Sequence, residues 1–519
     1  MMTIQHCTLM AAAVAVTSGL ATADYQDWCG WTELAARIGI ENVPTGLDVI
    51  VGQVEAPDSS SRYMPDSNDS DFEGKYLIRR SGGSTSPSSH ATNVARKFYG
   101  LSNSLAPGVW FINCYEVNNW LQGGYLHVGG GAGTPPEPAV GALKIWNNSW
   151  VGSFGSVSAD QDALRRIDWF IERDDVVLTG GLNNGVEQQP LLSYGYNSLI
   201  VGRRDGNHSA GDVPSPYDGP GRMKPDITGP LFTTSDATPI IAAAAAMLIE
   251  QARNDPSLPG SAEASETIKA ILMASATHNG PSGSGLAWTN NSPTSGADRG
   301  STARPLDELV GAGHLDVDRA NLMMAGGETD GGNSVANATP APAHGWSFDT
   351  ISADEQRSFR FTMPEGADEF SALASWNRDV ADNFGSFTLA DLNLELLRLE
   401  NGVATPLVGN QTAWVDGNVL SNSSVDNVEH LYLGGLEAGD YIVQITSNSG
   451  SATDFAMAWY SSGTVESLFG DLNGDGMIGV DDLLQLLSAW GSCDGCEEDL
   501  NNDGLVGVDD LLAMLGVWP

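Results

Sequence analysis

One serine, Ser235, stands in "LFTTSDATPIIAAAAAMLIE", which runs from Leu231 to Glu250 ahead of a long alanine-rich helical stretch. Two readings of it are open. Serine is a preferred helix N-cap and proline is tolerated in a first turn, so Ser235 can be a cap; it can equally be a nucleophile held at a helix mouth. A nucleophilic serine needs a base, a group that orients the base, and donors for the oxyanion. The chain supplies a residue of each type. His90 opens a helical run in "SSHATNVA", after Ser88 and Ser89. Glu55 ends the apolar strand in "VIVGQVEAP", with Asp58 three residues further on as the alternative carboxylate. Catalytic groups of α/β sheets gather at such strand ends. Asn183 follows another strand in the glycine-rich "LTGGLNNG", where a side-chain amide can donate; Asn184 is the alternative.

A second kind of chemistry is written at the C-terminus. "DLNGDGMIGVDDLLQLLSAWG" begins at Asp471 and "DLNNDGLVGVDDLLAMLGVWP" at Asp499, two copies of one supersecondary unit. A calcium loop needs hard oxygens at its first, third, fifth and twelfth positions, a glycine sixth and a backbone carbonyl seventh. The first copy offers Asp471, Asn473, Asp475, Met477 and Asp482, the second Asp499, Asn501, Asp503, Leu505 and Asp510, with Gly476 and Gly504 in the glycine places. Each loop runs straight into an apolar helix, and no long helix precedes either. Ca2+ is therefore the expected ion, and a repeat this short needs metal to fold. The plan resembles the dockerin module, which also carries Asp at the twelfth position. The resemblance implies a cohesin-like or cell-surface partner, although Val480-Asp481 and Val508-Asp509 stand where that family often has small hydroxyl residues.

These residues need elements to position them. Between residues 24 and 325, strand-like runs ("LDVIVGQVEA", "GALKIW", "DDVVLTGG", "SLIVGRR") alternate with helical ones such as "HATNVARKFYG". That alternation predicts an α/β domain, a parallel sheet covered on both faces. Residues 326–345, "GGETDGGNSVANATPAPAHG", have no periodicity and read as a linker. From 346 to 462 the period becomes two: Phe359, Phe361 and Met363 alternate with polar residues, as do Leu392, Leu394 and Leu396, then Tyr441, Val443 and Ile445, then Phe455, Met457 and Trp459. An antiparallel β-sandwich is expected there. Residues 463–519 complete the chain as a small helical, EF-hand-like module.

The 519 residues carry a formal net charge of -41, which argues against nucleic acid and anionic membranes as partners. Leu9 to Leu20 is apolar and Ala21-Thr22-Ala23 fits a small-residue cleavage site, so residues 1–23 read as an export signal and the protein as secreted or cell-surface. No other apolar run is long enough to span a membrane. Cys29, Cys114, Cys493 and Cys496 lie beyond the signal; a local disulfide is expected for the last two, and a Cys29–Cys114 pairing is open.

The order carboxylate, His, Asn, Ser resembles the subtilase family of serine peptidases. "HATNVA" is similar to its histidine block, "TTSDATPIIA" to its serine block, "KPDITGP" at Lys224 to the segment leading into it, and "IKAILMASAT" and "GAGHLDVDRA" to its closing blocks. The resemblance implies a subtilisin-like three-layer fold and hydrolysis of peptide bonds, with Ser235 as nucleophile, His90 as base, Glu55 as orienting carboxylate and Asn183 as oxyanion donor. "WNNSWVGS" resembles the strand that pairs with substrate, which implies Ser149, Trp150 and Gly152 in the groove. The sandwich looks like the P-domain or pre-peptidase C-terminal modules that follow secreted peptidases. The sequence departs from the pattern in several places: Glu55 replaces an aspartate, Ala91 a glycine and Thr233 a glycine, Asn183 follows Leu182, and Val151 adds one residue to the groove segment. Residues 24–45 are too few for the family's propeptide. A catalytically silent subtilase-fold scaffold anchored through its calcium-binding tail is the alternative function.

Overall fold

The computed structural model describes residues 25–280, 286–289, 291–463, 470, 472, 478–493, 496, 498–501 and 503–518. The export-signal expectation lies outside them.

Seven parallel strands form the first sheet: β1 (Ile50–Glu55), β2 (Tyr76–Arg79), β3 (Phe111–Glu116), β4 (Leu143–Asn148), β5 (Val177–Gly181), β6 (Leu199–Arg203) and β7 (Ile227–Gly229), in the order β2-β3-β1-β4-β5-β6-β7. The apolar runs are continuous because the sheet is buried on both faces. Alternate residues enter two cores. Val51, Ile145, Val177, Leu199 and Val201 meet helices α1 (Ser89–Tyr99), α3 (Thr234–Asn254), α4 (Ser265–Ala274) and α5 (Val317–Ala325) on one face. Val54, Trp146, Leu178 and Ile200 meet α2 (Val157–Asp174) on the other, through Ala163, Leu164, Ile167, Phe170 and Ile171 at helical spacing. The α3 alanines Ala242–Ala246 are all buried, so α3 is the central helix of its layer.

The period-two segment forms two antiparallel sheets, as expected for a sandwich. One is built on the pairings of Leu392–Glu400 and Gln356–Met363 with Gly439–Ser447, the other on Ala367–Trp376 between Val428–Leu436 and Thr453–Ser461. Phe359, Phe361, Leu394, Val443, Met457 and Trp459 fill the space between them. The segment expected as a linker is ordered along the sandwich. Thr339–Pro340 pairs with Phe359–Arg360, Gly332 bridges Ser358, and Thr329 donates its N–H to the Trp346 carbonyl at 2.8 Å. Glycine and proline there serve tight turns and an edge strand, which composition alone does not separate from a flexible tether.

The two units share one core. Trp346, Leu373, Val428, Ala456 and Ala458 of the sandwich pack with α4 and α5. A buried ion pair crosses the junction: Arg378 Nε lies 2.7 Å from Asp168 Oδ2, and the two side chains are 1% and 0% exposed. Arg378 also reaches Asp218 at 2.9 Å, and Asn197 joins the Arg378 backbone from the first unit.

The C-terminal module contributes α6 (Val480–Ser488) and α7 (Val508–Val517), packed through Leu486, Val506 and Met514. A disulfide joins Cys493 to Cys496, while Cys29 and Cys114 stay as buried thiols. No described helix is long and apolar enough to cross a membrane.

Candidate active site

Every candidate catalytic residue sits at the carboxyl edge of the parallel sheet or at the amino end of a helix that returns from it. Glu55 ends β1, Ser149 follows β4, and Asn183 follows β5; these three strands are neighbours. His90 opens α1 and Ser235 opens α3.

Glu55 is 1% exposed and its Oε2 lies 2.8 Å from His90 Nδ1. Its Oε1 accepts from Gln53 Nε2 at 2.8 Å, and the same amide donates to the Ala91 carbonyl at 3.0 Å. Tyr99 of α1 donates its hydroxyl to Gln53 Oε1 at 2.5 Å. Gln53 thus ties the carboxylate, the histidine helix and the strand together, and the sequence reading missed it. Its signal was a polar residue inside an otherwise apolar buried strand. Ser88 caps α1, its Oγ accepting from Ala91 N–H at 3.3 Å. The hydrogen bond with Glu55 raises His90 above the ordinary histidine value against the opposing effect of burial, and the charges of Glu55 and Asp236 add to the rise. Asp58 is engaged elsewhere: it accepts from the Ser60 and Arg62 amides and from the Arg62 guanidinium.

Ser235 is not the cap of its helix. Thr233 is, its Oγ1 accepting from Asp236 N–H at 3.2 Å, and Ser235 lies inside the first turn, half-buried. The hydroxyl at the apparent departure from the family pattern therefore has a job that glycine could not do. Pro239 falls in the second turn and has no N–H, so the Ser235 carbonyl receives no helical bond from it. Ser235 Oγ donates to the Ser149 carbonyl at 3.4 Å, and no hydrogen bond joins it to His90.

The oxyanion side differs from the expectation. Asn183 Nδ2 donates to the Glu187 carbonyl of its own loop at 2.8 Å, a turn contact that uses the amide locally. Asn184 Oδ1 instead accepts from Thr234 N–H at 2.8 Å, one residue before Ser235. In the expected groove, Ser149 and Trp150 are buried, and Trp150 Nε1 donates to Asn148 Oδ1 at 3.1 Å. Gly152 exchanges both backbone bonds with Leu191, each at 3.0 Å, so its peptide groups are occupied by the neighbouring segment and not available to a substrate strand. The backbone groups of Trp150 and Val151 have no hydrogen-bond partner among the described residues.

In the C-terminal loops Asp471, Asn473, Asp475 and Met477 lie outside the described residues. Asp510, 1% exposed, accepts from the Asn501 and Gly507 amides at 3.1 and 2.7 Å. Asp499 accepts from Asp503 and Gly504 N–H, Asn501 Oδ1 from Asp503 N–H, and Asp503 Oδ1 from the N–H of Leu505. Asp482 holds Leu472 and Gly479 in the same manner as Asp510 holds its loop. Among the described residues no cluster of three acidic, His or Cys side chains is gathered as a metal cage. The buried Asp510 carboxylate is met by backbone amides and by no lysine or arginine among the described residues, and a carboxylate oxygen is the kind of ligand a hard cation takes.

No family model matches the chain, and no curated protein matches it. Among solved structures it is similar to the serine protease MycP1, an essential component of the type VII (ESX-1) secretion system, at 14% identity over 59% of this chain and 90% of that one, with a TM-score of 0.32. Tripeptidyl peptidase 2 matches at 10% identity over 72% of this chain and 40% of that one, with a TM-score of 0.26. A mitogen from Yersinia pseudotuberculosis matches at 14% identity over 23% of this chain and 86% of that one, with a TM-score of 0.16. These scores are low.

Proposed function

We propose that the chain is a secreted serine endopeptidase of subtilisin-like type. The observation that carries this reading is the hydrogen bond between buried Glu55 and His90, at the sheet edge where Ser235 also lies. Glu55 accepts from His90 Nδ1–H, which leaves Nε2 as the base. His90 takes the Ser235 proton as Oγ attacks the peptide carbonyl, then returns it to the leaving amine. Oxyanion donation falls to Asn184, whose carbonyl is anchored on Thr234 and whose amide is left for the reacting carbonyl, with backbone N–H at the start of α3 beside it. Trp150 and Val151 offer the free backbone along which a peptide would lie.

A silent scaffold is the second reading, and it draws on the contact of Ser235 with Ser149 in place of His90. Catalytic hydrogen bonds are commonly long or misaligned without substrate and tighten in the complex, which keeps the peptidase reading ahead. Hydrolysis of an unstructured protein substrate by the wild-type chain, lost in both Ser235→Ala and His90→Ala, tests it; equal hydrolysis by all three contradicts it.

For the tail, the proposal is calcium held by Asp471, Asn473, Asp475, Asp482 and the Met477 carbonyl in one loop, and by Asp499, Asn501, Asp503, Asp510 and the Leu505 carbonyl in the other. Val480, Leu484 and Leu487 on α6 and Val508, Leu512 and Leu515 on α7 are exposed at matching repeat positions, which suits a cohesin-like or cell-surface protein partner.

A further inference from the structure

Lys97 lies seven residues beyond His90 on α1, two turns along the same face. Its Nζ is 3.3 Å from Asp236 Oδ1 on α3, and Asp236 directly follows Ser235. The second Asp236 oxygen accepts from Thr233 Oγ1 at 2.8 Å, while Thr233 Oγ1 caps the Asp236 amide. Asp236 is therefore fixed in direction, and among the described residues it makes the one ion pair that joins α1 to α3. Each of these helices bears one of the two residues that must exchange a proton. The charged groups that face His90 are Glu55 from β1 and Asp236 from α3; Lys97, on the histidine's own helix, faces Asp236.

We propose that Lys97 and Asp236 form a charge-balanced clamp: it holds the Ser235 and His90 helices in register, and it offsets a carboxylate that would otherwise act on the imidazole unopposed. Both are positioning residues, acting through His90. The clamp's consequence for catalysis rests on the peptidase reading above; its effect on the imidazole does not. Removing either partner loosens the same contact, but the two removals change the charge at His90 in opposite senses. Without Asp236 the protonated imidazole loses a favourable neighbour. Without Lys97 it keeps Asp236 and loses the cation that opposed it.

The test is an NMR titration of the His90 ring in the full chain, assigned by comparison with His90→Gln, in Ser235→Ala background so that no turnover is needed. Asp236→Asn should move the His90 midpoint to lower pH and Lys97→Met to higher pH, while Lys97→Arg should stay at the parent value. Both shifts should shrink at 1 M salt, where the Debye length is about 3 Å. In the chain with Ser235 restored, the acid limb of kcat/KM should follow the same two directions with KM little changed. Midpoints that move together, or not at all, in variants that melt like the parent would overturn the clamp. A chain that hydrolyses nothing and yet shows opposed midpoints would overturn the peptidase reading and leave the clamp standing.

Discussion

Glu55 Oε2 lies 2.8 Å from His90 Nδ1 while Gln53 holds the other Glu55 oxygen at the same distance. The glutamate thus reaches the ring from a strand end where the resembled family usually has an aspartate, and its longer side chain is fixed by a neighbour two residues back on the same strand. Asp58 has its oxygens on Ser60 and Arg62.

Glu55→Gln should accordingly lower kcat for peptide hydrolysis by about three to four orders of magnitude, as loss of a triad carboxylate does in other hydrolases. Asp58→Asn should change it little, since Asp58 is held by Ser60 and Arg62 and makes no contact with His90. Steady-state kinetics on both variants gives the ranking; the reverse order would move the carboxylate role to Asp58.

The raised His90 sets the pH dependence of activity. A general base must be neutral, so kcat/KM should rise with pH through a value above the ordinary histidine range, and Glu55→Gln should bring that limb down. For stability the sign is separate. His90 is raised in the fold, so its own contribution is fully present below the unfolded value and lost as pH rises through the folded one.

Burial acts the other way on five histidines: it pulls His208 down to about 4 and lowers His278, His314, His344 and His430. The unfolded chain binds their protons first, so stability should fall as pH drops from about 6.5 towards 4. Thermal melts at neutral pH and in that window measure it. A melting temperature that holds or rises on acidification would contradict the burial of these rings.

Arg378→Met should cost about 3–5 kcal/mol, because it leaves Asp168 charged and buried without its partner. Arg304→Ala breaks a largely exposed pair with Asp212 and should cost at most about 1 kcal/mol. Urea denaturation distinguishes the two, and a single transition is expected for both units because they share a core.

On the oxyanion side, Asn184→Ala should lower kcat by about two to three orders of magnitude, whereas Asn183→Ala should act mainly through its loop. The opposite ranking would return the donor role to Asn183.

The parallel sheet was legible because burial on both faces leaves uninterrupted apolar runs, and the sandwich because Phe359, Phe361 and Met363 keep a strict period of two. The start of the histidine helix was legible just after Ser88 and Ser89, but its cap was not named. At Ser235 the cap reading stayed open, since Thr233, Thr234 and Ser235 are all competent caps and only the backbone decides among them. Gln53 was invisible as a functional residue because its partners, Ala91 and Tyr99, come from a helix 38 and 46 residues away. Asn183 and Asn184 are adjacent and chemically identical, so the turn geometry alone assigns one to Glu187 and the other to Thr234. The segment 326–345 has the composition of a tether but the hydrogen bonds of a sheet edge, and those bonds depend on Ser358 and Trp346, which no local reading includes.

Calcium titration of the full chain by calorimetry should show two sites, with Asp510→Ala removing one. The heat should be unchanged by Asp58→Asn. No binding at all would mean that Asp499, Asn501, Asp503 and Asp510 only brace their loop.

The most direct test of the central claim is covalent labelling with a fluorophosphonate, which reacts with a serine only where a base has activated it. The wild-type chain should be labelled at Ser235, with labelling abolished in Ser235→Ala and strongly reduced in Glu55→Gln. A wild-type chain that takes up no more probe than Ser235→Ala would show that the hydrogen bond between Glu55 and His90 activates no nucleophile.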